Sequence, residues 1–124
     1  MDRILIIDDD AGMLRVIARI LEAAGYDILI AENGVVGMEL FRTHRPRLVI
    51  IDLLMPGKDG LETIRDIRAS GAPAKIIATS GGWRTAQLDF LGVAAEFGAD
   101  RTLSKPFQPR ELLNAVEQLI GART

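Results

Sequence analysis

The residues with chemical capacity fall in four places along the chain: Asp8-Asp9-Asp10, Asp52, Ser80 and Lys105. Cysteine is absent, which removes disulfides, thiolate zinc sites and cysteine nucleophiles together. Carboxylates, hydroxyls, lysines and His44 remain for chemistry. Adjacent carboxylates repel one another and need an offsetting cation. A hard, oxygen-seeking divalent ion is the natural one, Mg²⁺ foremost, because it is content with few protein ligands and several waters; a lysine ammonium can share the task. Each residue also has a plainer reading. Asp10 is better placed as the N-cap of a following helix than as a ligand and is left out of the site. Asp8 and Asp9 alone suit a helix start, and Asp52 alone suits the opening of a loop. Ser80 before Gly81-Gly82 alone suits a turn, and Lys105 before Pro106 alone suits a solvated loop. Their joint placement decides, and that depends on the elements carrying them.

Those elements alternate. Ile4 to Ile7 is a continuous apolar run, as in a strand buried on both faces of a parallel sheet. From Ala11 to Ala24, Met13, Leu14, Ile17, Ile20 and Leu21 recur at helical spacing, with Gly25 as the stop. The pattern repeats: strand Ile28 to Ala31, helix Val35 to Thr43, strand Leu48 to Ile51. A loop through Pro56, Gly57 and Gly60 leads to a helix carrying Leu61, Ile64 and Ile67. Lys75 to Thr79 reads as a fourth strand, and a helix near Thr85 to Phe97 follows the Ser80-Gly81-Gly82 loop. Arg101 to Leu103 is a short fifth strand, and Pro109 opens a last helix bearing Leu112, Leu113, Val116, Leu119 and Ile120. Strict βα alternation predicts an α/β fold, a doubly wound five-stranded parallel sheet flanked by five helices and joined by right-handed crossovers. Ligands of such sheets bind outside the carboxyl ends of the strands. Asp8-Asp9, Asp52, Ser80 and Lys105 follow four of those ends.

The chain has 124 residues, enough for one core and one domain, 1–124. With 48% hydrophobic and 26% charged residues it is not a disordered chain. Fifteen basic against seventeen acidic residues give a net charge of -2, which argues against direct nucleic-acid binding. The longest apolar runs are far too short to span a bilayer, and Met1-Asp2-Arg3 opens no secretory signal, so a cytoplasmic location without membrane association is expected.

On these residues the chain resembles the response-regulator receiver family, the CheY-like domains of two-component signalling. The resemblance spans essentially the whole chain. It rests on Asp8-Asp9, on Asp52-Leu53-Leu54-Met55-Pro56-Gly57-Lys58-Asp59-Gly60, on Ser80-Gly81 and on Lys105-Pro106-Phe107. It implies a (βα)5 flavodoxin-like fold with strand order 2-1-3-4-5 and a signalling phosphoacceptor rather than a turnover enzyme. By the family's pattern Asp52 accepts a phosphoryl group from a histidine kinase or histidine phosphotransfer protein. Asp9, Asp52 and the Leu54 backbone carbonyl hold Mg²⁺, with Asp8 acting largely through metal-bound water. Lys105 pairs with one phosphoryl oxygen, and Ser80 donates to another once Asp52 is modified, drawing its loop inward. Implied partners beyond the kinase are a downstream protein target or output domain, and a second copy of the phosphorylated chain. Ser80 is preferred to Thr79 as the hydroxyl, because it precedes a small residue and alternation turns Thr79 away.

The chain departs from the pattern in places. Ser80 and Lys105 lie farther apart than is usual, so the stretch with Gly81, Gly82 and Trp83 looks extended. Thr102 stands where most members carry a switching aromatic. Leu54 and Gly82 occupy the two positions that tune hydrolysis, and neither positions water through a side chain. Trp83 is the only tryptophan, either a partner contact or a lid on the adjacent helix, and Arg84, Gln87, Arg101 and Arg110 are candidates for a docking face. Other readings also stand: a receiver segment of a longer regulator with a DNA-binding or enzymatic output, a receiver-like scaffold, or a flavodoxin-like binder, against which three aspartates would repel a cofactor phosphate. A haloacid-dehalogenase-like phosphatase would use Asp8 and Asp10, but Gly12 stands where that family wants Thr or Val.

Overall fold

The structure is a computed structural model that describes residues 3–53, 60–81 and 90–121. Among the described residues the elements run β1 (Arg3–Ile7), α1 (Ala11–Ala23), β2 (Asp27–Ala31), α2 (Gly34–His44), β3 (Leu48–Asp52), α3 (Gly60–Ala69), β4 (Lys75–Gly81), α4 (Phe90–Phe97), β5 (Arg101–Lys105) and α5 (Pro109–Ile120). All five strands are parallel, in the order β2-β1-β3-β4-β5. This is the doubly wound sheet the alternation predicts.

Each strand divides its side chains between two cores, as a two-residue period demands. Leu5, Ile7, Val49, Ile51, Ile76 and Ala78 pack with Met38 and Phe41 of α2, Ile64 and Ile67 of α3 and Ala94 of α4. Ile4, Ile6, Leu48, Ile50 and Ile77 pack on the other face with Leu14, Ile17 and Leu21 of α1 and Leu112, Ala115 and Val116 of α5. Burial on both faces explains why β1 and β3 are unbroken apolar runs.

α1 and α5 begin where the sequence places them, and α2 begins one residue earlier, at Gly34. Asp10 caps α1, its Oδ1 accepting from the Gly12 and Met13 amides at 2.9 and 3.2 Å. Asn33 caps α2 in the same way, accepting from the Val36 amide at 2.9 Å. Pro109 sits in the first turn of α5, and the Glu111 carboxylate accepts from the Gln108 amide at 2.9 Å.

β1 and β2 begin one residue earlier than expected, and three strands run past their expected carboxyl ends. Asp52 is the last residue of β3, paired with Thr79; β4 continues through Ser80 to Gly81, and β5 through Ser104 to Lys105. The cause is the parallel ladder, where Ser80 pairs with Ser104 and Gly81 with Lys105, so backbone pairing outlasts the apolar pattern. Ser80 and Lys105 therefore sit on strands rather than in the loops after them. The start of the helix expected near Thr85 lies outside the described residues; its described part is α4.

Candidate functional site

The site is built at the carboxyl rim of β1, β3, β4 and β5. Asp8 follows β1 directly and is tied down by its backbone, its amide donating to the Ala31 carbonyl at 3.1 Å. Its side chain accepts twice: Oδ1 from the Asp10 amide at 2.9 Å and Oδ2 from Lys105 Nζ at 2.8 Å. Lys105 Nζ also lies 3.7 Å from Asp52 Oδ2. Asp8 and Asp52 are buried, at 1% and 6% exposure, whereas Asp9 faces solvent. The carboxylates of Asp8, Asp9 and Asp52 each bring an oxygen within 4.8 Å of the others.

At that spacing each carboxylate pair repels by roughly 3 kcal/mol at an effective dielectric of about 20. Lys105 is paired with Asp8 and Asp52, so the three carboxylates outnumber the ammonium beside them. A divalent cation would offset the remaining negative charge, and the donors are all hard oxygens with an open, solvent-facing member in Asp9. The residues present therefore fit a Mg²⁺ ion. Leu54, whose carbonyl the resemblance adds to the ligands, lies outside the described residues.

Ser80 completes the rim from β4. It is fully buried, and its Oγ is the buried side-chain polar atom without a hydrogen-bond partner among the described residues. Burying a hydroxyl unpaired costs roughly 1–3 kcal/mol, so such an atom calls for an explanation. Thr79, one residue earlier, is buried too, but strand alternation turns it to the opposite face, with Ile77. Gly60 holds the end of β3 from behind: its amide donates to the Leu53 carbonyl at 3.2 Å, and a methyl group there would stand 2.5 Å from the Asp52 carbonyl oxygen.

Thr102 is half-buried on β5, paired with Ala78. Arg101 is half-buried and Arg110 exposed, while Gly82, Trp83, Arg84 and Gln87 lie outside the described residues. Sequence reasoning missed a polar clamp at the other end of the sheet. Arg68, on α3, donates to the Gly98 carbonyl from Nε and a terminal nitrogen at 2.9 and 2.7 Å, to the Ala74 carbonyl at 2.6 Å and to Asp100 Oδ2 at 2.7 Å. The same Asp100 oxygen accepts from the Ile76 amide at 2.9 Å. Nothing in the spacing of one arginine and one aspartate 32 residues apart signals this.

Fold and site together define a doubly wound α/β domain whose switch-point rim gathers three carboxylates that could hold a cation, with a lysine paired to two of them and a buried hydroxyl on the neighbouring strand. A family model described as the response regulator receiver domain matches residues 4–117, and the chain belongs to that family. It is 36% identical over 117 residues to the DNA-binding response regulator MtrA of Mycolicibacterium paratuberculosis, an alignment covering 92% of this chain and 49% of that protein. It is 35% identical over 122 residues to the response regulator MprA of a Mycobacterium species, covering 95% and 50%. Among solved structures, a response regulator receiver domain protein from Clostridium thermocellum matches with a TM-score of 0.88 and 29% identity, over 97% of this chain and 94% of that one. A CheY-like receiver domain protein from Methanospirillum hungatei matches at 0.87 and 30%, over 95% and 92%.

The chain is thus a response regulator receiver domain, a signalling module of two-component systems. It spans about half the length of the curated relatives it matches. The expectation of no nucleic-acid contact, drawn from net charge, does not carry to whole proteins of that kind, since the MtrA relative is by name DNA-binding. No helix among the described residues is long and apolar enough to cross a membrane.

Proposed function

We propose that Asp52 is the phosphoacceptor of this receiver, modified by a histidine kinase or histidine phosphotransfer protein in a Mg²⁺-dependent reaction. The observation that carries this reading is the pairing of a buried Asp52 with Lys105, held in place by Asp8, together with a buried Ser80 hydroxyl on the next strand that has no partner among the described residues. An Asp52 carboxylate oxygen attacks phosphorus, forming a P–O bond as the bond to the donor's imidazole nitrogen breaks, and the departing imidazole keeps the electron pair. Asp8, Asp9 and Asp52 would hold Mg²⁺, with the Leu54 carbonyl as the further ligand; bound there, the ion offsets the repulsion between an anionic nucleophile and an anionic donor. Lys105 is positioned to follow the new charge, since its ammonium already bridges Asp8 and Asp52. Ser80 supplies the state-dependent contact: its Oγ donates to a phosphoryl oxygen, and the end of β4 moves with it.

Residues 1–124 act as one receiver unit. That the chain spans half of its DNA-binding relatives favours a role in which this unit governs an output, either a domain of a longer regulator or a separate protein. A second phosphorylated copy is a further partner for the face that carries Arg101 and Arg110.

The test is intact-mass measurement after incubation with acetyl phosphate, with and without Mg²⁺, on wild type and Asp52→Asn. One phosphoryl group is expected on wild type with Mg²⁺ only, and none on the variant. Modification of Asp52→Asn at the wild-type rate would overturn the assignment.

A further inference from the structure

At the amino-terminal edge of the sheet, opposite the aspartates, the structure holds a cavity of about 550 Å³. Its size is that of a small-molecule site. It passes beneath the starts of β3 and β4, bounded on one side by the end of α2 and on the other by the last turn of α5. The interior is apolar, with Phe41, Pro46, Ala74 and Ile120 all buried side chains of its wall. Its mouth carries three cations, Arg45, Arg47 and Lys75, all exposed, and among the described residues no carboxylate belongs to its lining. In a chain of net charge -2 that is a local reversal of sign.

Neither Arg45 nor Lys75 is engaged in an ion pair among the described residues. Arg45 is held at the mouth by its backbone, the left-handed residue (φ 50) after α2 whose amide donates to the Phe41 carbonyl at 2.9 Å. Arg47 and Lys75 are fixed to each other's strands, the Lys75 amide donating to the Arg47 carbonyl at 2.9 Å. The cations therefore stand on rigid backbone around an apolar hollow. We infer that this cavity is a second ligand site, one that takes a small amphipathic anion: an apolar, ring-sized body seated against Phe41 and Ile120, with a carboxylate, sulfonate or phosphate at the Arg45–Arg47–Lys75 mouth. The apolar wall supplies burial and the cations supply selection for negative charge. The site is independent of phosphorylation chemistry, since β3 separates it from Asp52 by about 13 Å at 3.3 Å per residue.

The probe is 8-anilinonaphthalene-1-sulfonate, an aromatic body with one sulfonate, titrated into the uniformly ¹⁵N-labelled protein while amide shifts are followed. Saturable shifts confined to the amides of Arg45, Arg47, Ala72, Ala74, Lys75, Leu119 and Ile120 are expected. The double variant Arg47→Glu/Lys75→Glu is expected to weaken the probe by about tenfold or more, with the amides of β1 and of residues 8–10 unmoved as the control for folding. The neutral analogue N-phenyl-1-naphthylamine is expected to bind more weakly than the sulfonate. Because those substitutions sit on exposed side chains, Lys75→Glu alone serves if the double variant does not fold. Shifts spread over the molecule, an unchanged affinity in the charge-reversed protein, or equal binding of the neutral analogue would each overturn the inference.

Discussion

A buried hydroxyl that has no hydrogen-bond partner among the described residues is the residue-scale feature that the proposed phosphoryl contact explains. Ser80 Oγ is buried and has no partner among the described residues, so truncating it removes a liability rather than a contact. Ser80→Ala is expected to leave unfolding free energy within about 1 kcal/mol of wild type. The same variant should still gain one phosphoryl group by mass, while the amide shifts at the end of β4 that accompany modification of wild type are lost; retention of those shifts would deny Ser80 its part in the response. Lys105 is the opposite case. Its ammonium is the cation beside Asp8, whose side chain is 2% exposed. Breaking a buried pair from one side leaves a charge uncompensated, and Lys105→Met is expected to cost about 2–4 kcal/mol in metal-free buffer. Saturating Mg²⁺ should recover much of that loss in denaturant melts, since it supplies the missing positive charge. An equal loss with and without Mg²⁺ would mean that the lysine acts on packing alone.

Elements position these residues through contacts that are partly legible in sequence and partly not. The apolar runs of β1 and β3 and the helical spacing of Leu14, Ile17 and Leu21 gave the sheet and its two cores, because burial on both faces writes itself into composition. Asp10 was legible as a cap for the same local reason. Strand ends were not: Ser80, Ser104 and Lys105 are polar, and only pairing with a neighbouring strand extends the ladder through them. The Arg68 clamp was invisible because it joins α3, the start of β4 and the turn before β5, segments distant in sequence. It nonetheless fixes where β4 and β5 begin. Gly98 (φ 122) allows the arginine's approach, as a methyl group there would stand 2.7 Å from the Arg68 side chain. Arg68→Ala removes all these bonds and is expected to destabilise by about 2–3 kcal/mol, with hydrogen-exchange protection lost first at the Ile76 and Asp100 amides. Protection unchanged at those two amides would show that the clamp is redundant.

At the scale of the whole molecule, the described residues place two charge clusters at opposite ends of one sheet: three carboxylates, two of them paired with a lysine, at the carboxyl edge, and three cations around an apolar hollow at the amino edge. The carboxyl edge stores repulsion in the metal-free state, and that repulsion has a thermodynamic signature. Asp52 brings a carboxylate oxygen within 4.8 Å of those of Asp8 and Asp9, and Lys105 Nζ stands 3.7 Å from it. Two carboxylates at that spacing repel Asp52 more than Lys105 attracts it, and neutralising Asp52 relieves that difference. Asp52→Asn is expected to be more stable than wild type by about 1 kcal/mol in chelator-treated buffer. Mg²⁺ is expected to reverse the order, because an ion that binds only the folded state stabilises it by about 2.7 kcal/mol at a hundred times its dissociation constant, and the variant lacks one of the proposed anionic ligands. In thermal melts wild type is expected to gain several degrees with Mg²⁺ and to overtake the variant, which gains little. Parallel gains in both proteins would place the ion away from Asp52. Charge reversal at Arg47 and Lys75 should leave the Mg²⁺ gain intact, since the length of β3 lies between the two ends.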